Sequence, residues 1–233
     1  MILDLHPGIR FRTLTIGRER APLLVIDQFV ADPERLVRKA AMRRFVPCGR
    51  FFPGIRTPAP PSYQHLIETR LGPVLAECFG FAATSFRFPT CHYSLVTTPP
   101  VQLEPLQRIP HVDSVEPEGL AAVHYLFKDD LGGTAFYRHR STGYEYVDAS
   151  RRQRYFDVLL AELAGPDCPP AQYIDGDTAL FQQIAREEGV FNRMLVYRRN
   201  SLHSASLGAC FVPDPNPRTG RLSINCFIDP MRR

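Results

Sequence analysis

The sequence predicts an α+β fold in which helices come first and a largely β body follows. Three observations predict it. Apolar residues fall at helical spacing only in a few early and middle stretches; short alternating or apolar runs dominate from residue 84 onward; and proline punctuates the chain throughout. Ala21 to Phe29 (APLLVIDQF) reads as a buried strand. A helix follows, with Asp32 as N-cap, Pro33 at its first position and Leu36, Val37, Ala40 and Ala41 on one face. Gly49 to Pro61 reads as loop, broken by Pro53-Gly54 and Pro58-Ala-Pro-Pro61. Ser62 is the expected cap of a second helix carrying Leu66, Ile67, Leu71, Val74 and Leu75, which Gly72-Pro73 should kink or split.

Strands are expected at Ser85 to Pro89, Cys91 to Val96 and Ala121 to Phe127, then at Thr134 to Tyr137 behind a Gly132-Gly133 turn. A helical insertion is expected over about residues 145–190. Its first helix is Arg151 to Ala164, and its second, Asp177 to Glu188, carries Leu180, Phe181, Ile184 and Ala185. Strands resume at Met194 to Tyr197, around Ser204 to Phe211, and at Leu222 to Ile228. One domain over 1–233 is expected, with helices over about 1–83 packed on a sheet supplied by 84–233.

Composition narrows the function classes. The 233 residues are 44% hydrophobic and 22% charged, as in a folded globular protein. No apolar run approaches a membrane span, and the N-terminus lacks a secretory pattern, so a cytoplasmic protein with no membrane partner is expected. The net charge is only +4 with no run of five or six like charges, so nucleic acid is not an expected partner. The six cysteines form no C-x-x-C pair, and free buried thiols are expected.

Four local features carry chemistry. In Pro110-His111-Val112-Asp113, strand geometry would turn His111 and Asp113 to one face and offer an imidazole and a carboxylate to one point. His203 stands behind an apolar strand, where a distant segment could supply a third ligand; two His and one carboxylate with open positions suit Fe(II). Arg221-Leu222-Ser223 puts a guanidinium and a hydroxyl on one face, a pairing that grips carboxylates. Tyr125 lies on the strand before Gly132-Gly133-Thr134.

On His111-Val-Asp113, Tyr125-Leu126, Gly132-Gly133-Thr134, Arg198 to His203 and Arg221-Leu-Ser-Ile-Asn225, the chain resembles the 2-oxoglutarate- and Fe(II)-dependent dioxygenases, nearest the prolyl-hydroxylase-like branch. The resemblance runs from about residue 91 to 229. It implies a double-stranded β-helix, a jelly-roll relative. It implies iron on His111, Asp113 and His203, with 2-oxoglutarate held by Arg221, Ser223 and Tyr125. It also implies O2 as co-reactant, and succinate and CO2 as products. Two departures stand out. Arg221 comes 18 positions after His203, where the family's Arg comes about ten after; the proline-rich 212–220 loop could absorb the excess and leaves Arg218 as a rival. The helical insertion is the second, so the substrate is left as a small molecule or a peptide or protein side chain. Tyr93 is a rival to Tyr125, and Arg138, His139 and Arg140 are candidates for a basic rim. Two other readings use the same residues: a β-helix binding or scaffold protein without turnover, and a cupin-like metalloprotein without 2-oxoglutarate, in which Arg221 would not face the metal. Oligomeric state is not legible.

Overall fold

The computed structural model describes residues 2–49, 51–82, 85–208 and 211–231. In chain order these residues form β1 (Arg10–Ile16), β2 (Ala21–Asp27), α1 (Pro33–Ala40), β3 (Val46–Pro47), β4 (Gly54–Pro58), α2 (Pro61–Leu66) and α3 (Gly72–Phe79). There follow β5 (Ser85–Arg87), β6 (Cys91–Val96), β7 (Leu120–Tyr125), β8 (Gly133–His139), α4 (Arg152–Leu163), β9 (Phe181–Glu188), β10 (Met194–Arg198), β11 (His203–Ser206) and β12 (Leu222–Met231). The strands make two antiparallel sheets. The large one runs β1-β2-β10-β7-β12-β6-β4-β3, with β5 added to β12; the small one runs β11-β8-β9.

Strand alternation gives the large sheet two apolar faces. Leu24, Ile26, Leu120, Ala122, Met194, Val196, Leu222 and Ile224 point to one side. There they pack with Leu36 and Val37 of α1, Tyr63 and Leu66 of α2, and Leu75 and Phe79 of α3. Their neighbours Leu23, Val25, Ala121, Tyr125, Leu195 and Tyr197 point the other way and meet Phe136 of the small sheet. The outer face of the small sheet, through Ala135, Tyr137 and Phe181, is covered by Tyr155 and Leu159 of α4. In the large sheet, the space between the sheets is therefore reached by every second residue of each strand.

Local chemistry accounts for the helix ends. Asp32 accepts from Arg35 N at 2.9 Å, a cap of the kind that contributes about 1 kcal/mol. The second helix begins at Pro61 with Pro60 as N-cap, so Ser62 does not cap it. Gly72-Pro73 divides that helix as expected: a π-helical turn at Ile67–Leu71 separates α2 from α3.

Three further expectations are corrected, and one strand is added to the sequence reading. Phe181 to Glu188 is a strand, not a helix. A β-bulge explains the misleading pattern: Ala185 opposes Phe136 and Gln183 opposes Tyr137, so Ile184 is extra, and Ile184 and Ala185 both pack into the inter-sheet core. The Gly49 to Pro61 segment contains β4, which pairs with β6 on one side and with β3 on the other. Arg10–Ile16, which shows little apolar pattern because its outer residues are exposed, pairs in full with β2. Finally, Cys91 and Cys226 oppose each other on β6 and β12, both turned to the helix side, and are joined as a disulfide; Cys48, Cys78 and Cys168 are free and at least partly exposed. Thr84 and Cys210 lie outside the described residues. Among the described residues no helix is long and apolar enough to cross a membrane.

Two outcomes follow for stability. Gly132 has φ +75°, and a Cβ there would overlap the Ser206 carbonyl of β11; Gly143 has φ +73° with open space around it. Gly143→Ala should cost about 1 kcal/mol from backbone strain alone and Gly132→Ala clearly more, read by urea unfolding. His124 is fully buried. It accepts from Tyr63 OH at Nδ1 (3.0 Å) and donates from Nε2 to Asn192 Oδ1 (3.1 Å), and burial pushes its pKa from 6.5 to about 3. Below pH 6.5 the unfolded chain takes up a proton that the folded one refuses. Stability should therefore fall as pH drops from about 6.5 toward 3, and His124→Gln should flatten that slope.

Candidate metal centre

The loop that carries His111 and Asp113 is fastened to the chain around His203 by main-chain hydrogen bonds. His111 N donates to His203 O at 2.9 Å, and His203 N returns to His111 O at 3.0 Å. Asp113 N then donates to Arg199 O at 2.8 Å. Arg199 is itself fixed by an ion pair with Asp229 of β12. The expected strand at His111–Asp113 is thus only an isolated bridge to His203, yet the two side chains still converge.

His111 Nε2 lies 3.6 Å from Asp113 Oδ1, and His203 Nε2 lies 3.5 Å from Asp113 Oδ2. One ligand atom from each residue falls within 4.8 Å of the other two. Two nitrogens and a carboxylate oxygen gathered at this spacing can hold one divalent cation, and the donor types fit Fe(II). The electrostatics agree. Burial pushes the His203 pKa down to about 4, with His111 adding to the effect, so the ring is neutral at neutral pH. Its Nδ1–H donates to Ser201 O at 2.9 Å, which leaves the Nε2 lone pair toward Asp113. Burial acts to raise the Asp113 pKa, but His203, His111 and Arg199 outweigh it and hold the carboxyl below its ordinary value. His203 is 7% exposed and Asp113 16%, whereas His111 is 52% exposed, so the cluster opens to solvent on the His111 side.

Behind the cluster, Arg221, just before β12, and Ser223, Asn225 and Phe227 within it point inward, since Leu222, Ile224 and Cys226 face the helices. Arg221 is 4% exposed. Its Nε donates to Leu131 O at 2.9 Å and its Nη2 to Gly133 O at 2.7 Å. Among the described residues no carboxylate pairs with it. Its guanidinium carbon sits 5.7 Å from the centroid of the Tyr125 ring and 5.4 Å from that of Phe127. Tyr125 OH shares a hydrogen bond with Thr134 Oγ1 at 2.7 Å, and Ser223 Oγ donates to Asn225 Oδ1 at 2.8 Å. Ser223 stands opposite Tyr125 in the register. Arg221, Ser223 and Tyr125 thus share one wall.

Tyr197 joins the two halves. It is on β10, its ring lies 4.6 Å from that of His203, and its hydroxyl is raised well above 10 by burial, with Asp113 and Arg221 both acting on it. Sequence reasoning did not select it; its place one residue after core Val196 on an alternating strand was the available signal. Ser201, whose carbonyl orients His203, was equally unmarked.

The rivals separate cleanly. Tyr93 opposes Ile224 and faces the helices, away from the site. Arg218 is exposed in a loop organised by Asp214, which accepts from Asn216 N (2.8 Å) and Thr219 Oγ1 (2.5 Å). Arg138 pairs with Glu145, buried His139 with Glu162 at 2.7 Å, and Arg140 with Asp177 at 2.8 Å, so these three form no open basic rim.

No curated protein matches the chain. Among solved structures it is similar to the non-heme alpha ketoglutarate dependent epimerase SnoN from nogalamycin biosynthesis, with 12% identity and TM-score 0.44 over 85% of this chain and 69% of that one. It is also similar to HygX from Streptomyces hygroscopicus with nickel and 2-oxoglutarate bound, with 14% identity and TM-score 0.48 over 92% and 87%. For HygX with iron bound the figures are 11%, 0.45, 96% and 82%. Residues 7–228 match the model of a family of unknown function, DUF6445, and the chain accordingly belongs to that family.

Proposed function

We propose that the chain is a non-haem Fe(II)- and 2-oxoglutarate-dependent oxygenase built on a double-stranded β-helix of the prolyl-hydroxylase-like kind, acting in the cytoplasm. The observation that carries the proposal is the buried Arg221 guanidinium, paired with no carboxylate among the described residues, on the wall behind a His-Asp-His cluster. A buried cation without a counter-charge is costly. A carboxylate arriving from solution would supply that charge, and 2-oxoglutarate has one at the end remote from its metal-chelating group.

When bound, iron and 2-oxoglutarate supply the oxidation, in which O2 is consumed, 2-oxoglutarate becomes succinate and CO2, and an oxygen atom is available for a substrate C–H bond. The chain's residues do the rest. His111, Asp113 and His203 would hold the metal. The Ser201 carbonyl keeps His203 in the ligating tautomer. Arg221 anchors the far carboxylate, with Ser223 and the Tyr125 hydroxyl beside it to add hydrogen bonds once they exchange their Asn225 and Thr134 partners. Tyr197, Phe136 and Phe127 are buried rings that give the space between the sheets an apolar lining. A cupin-like reading without 2-oxoglutarate would require Arg221 to turn away from this space, and it is aligned with Ser223 on the inward face of β12 instead.

Asp113→Ala and His203→Ala should each weaken Fe(II) or Co(II) binding by about a hundredfold or more, measured by titration calorimetry on folded variants. Arg221→Gln should leave metal affinity within about twofold but raise the 2-oxoglutarate concentration needed for succinate release at least tenfold. Metal affinity unchanged in the first two variants, or cosubstrate dependence unchanged in the third, would refute the assignment.

A further inference from the structure

A second guanidinium faces the same inter-sheet space and has no role in holding metal or 2-oxoglutarate. Arg56 is on β4. The strand's Ile55 packs with the helix-side core, so Arg56 points inward. Register places it in a row across four strands: Arg56 opposite Ser94, Ser94 opposite Ser223, and Ser223 opposite Tyr125. Cross-strand partners share a face. The row therefore begins at the cosubstrate wall and ends on Arg56, near the sheet margin formed by β3.

The guanidinium is held rather than floating. Its central carbon lies 3.7 Å from the centroid of the Phe52 ring, and Nε donates to Ser94 Oγ at 3.2 Å. Those contacts fix the plane of the fork. Among the described residues, neither terminal nitrogen has a hydrogen-bond partner, and no carboxylate lies within ion-pair distance. Cys48 and, to a smaller extent, Asp113 act on Arg56 through space, so the cation stands within electrostatic reach of the metal cluster. It is only part-buried, unlike Arg221, and so remains open to a molecule entering from solution.

We propose that Arg56 is the residue that recognises substrate, and that the substrate carries a carboxylate or phosphate beside an apolar group. The fork would take two anionic oxygens in bidentate fashion, and Phe52 would contact the apolar part. This assignment rests on the oxygenase reading for the meaning of "substrate", but the binding itself does not require turnover.

Ligand-observed NMR titrations of the metal-free full chain with benzoate, phenyl phosphate and the neutral control benzamide test it, in wild type, Arg56→Gln, Arg56→Lys and Arg221→Gln. We expect saturable binding of at least one anion to wild type. The dissociation constant should rise at least tenfold in Arg56→Gln, less in Arg56→Lys, and stay within about twofold in Arg221→Gln, with benzamide weak throughout. The tighter of the two anions names the group. No saturable binding by wild type, or equal affinity in wild type and Arg56→Gln, would overturn the proposal, as would an affinity lost chiefly in Arg221→Gln. In parallel, anaerobic Fe(II) and 2-oxoglutarate should give a visible charge-transfer band with the same 2-oxoglutarate midpoint in wild type and Arg56→Gln. A midpoint raised in that variant would reassign Arg56 to the cosubstrate and defeat the proposal. Absence of the band in wild type would remove the oxygenase reading, while the anion titrations would still decide whether Arg56 is an anion site.

Discussion

The site depends on one pair of main-chain hydrogen bonds, those exchanged between His111 and His203. Two residues that oppose each other in this way hold their side chains side by side whatever the rest of the loop does. The Asp113 amide, bonded to Arg199 O, adds a third point of attachment and limits where the carboxylate can swing. Convergence of two imidazoles and a carboxylate is otherwise unfavourable, because it gathers polar groups in a part-buried place. Backbone pairing, which is local and uncharged, holds them in position without requiring the ligands to attract one another.

The alternation of β12 adds the second half of the site. With Leu222, Ile224 and Cys226 committed to the helix-side core, Arg221 and Ser223 have only the inter-sheet face to occupy. A guanidinium in that position needs acceptors. The turn at Gly132-Gly133 supplies the Gly133 carbonyl, and Leu131 supplies another. That turn is possible because glycine at 132 accepts a positive φ and lets the backbone of β11 pass close by. The turn residues, the strand register and the buried cation are thus one arrangement seen at three scales.

Much of this was legible in the sequence. The period-two rule puts Arg221 with Ser223, and the structure turns both toward Tyr125. The cap at Asp32 and the break at Gly72-Pro73 follow from single-residue chemistry, which acts locally and survives folding. What escaped notice depends on partners remote in sequence. Residues 181–188 look helical because a bulge turns two consecutive side chains to one face, and only the neighbouring β8 makes that visible. Arg56 was assigned to a loop because prolines surround it, although Gly54–Pro58 is short enough to pair with β6 between them. The Cys91–Cys226 bond could not be read from spacing, since it depends on a register that spans most of the chain.

The central claim is that one cation is shared by His111, Asp113 and His203 while Arg221 receives a carboxylate from outside the chain. An anaerobic crystal structure with Fe(II) and 2-oxoglutarate measures this directly. The account predicts an anomalous iron peak bonded to one nitrogen of each histidine and an oxygen of Asp113, with a 2-oxoglutarate carboxylate on the Arg221 guanidinium. Iron bound elsewhere, or 2-oxoglutarate seated without contact to Arg221, would contradict it.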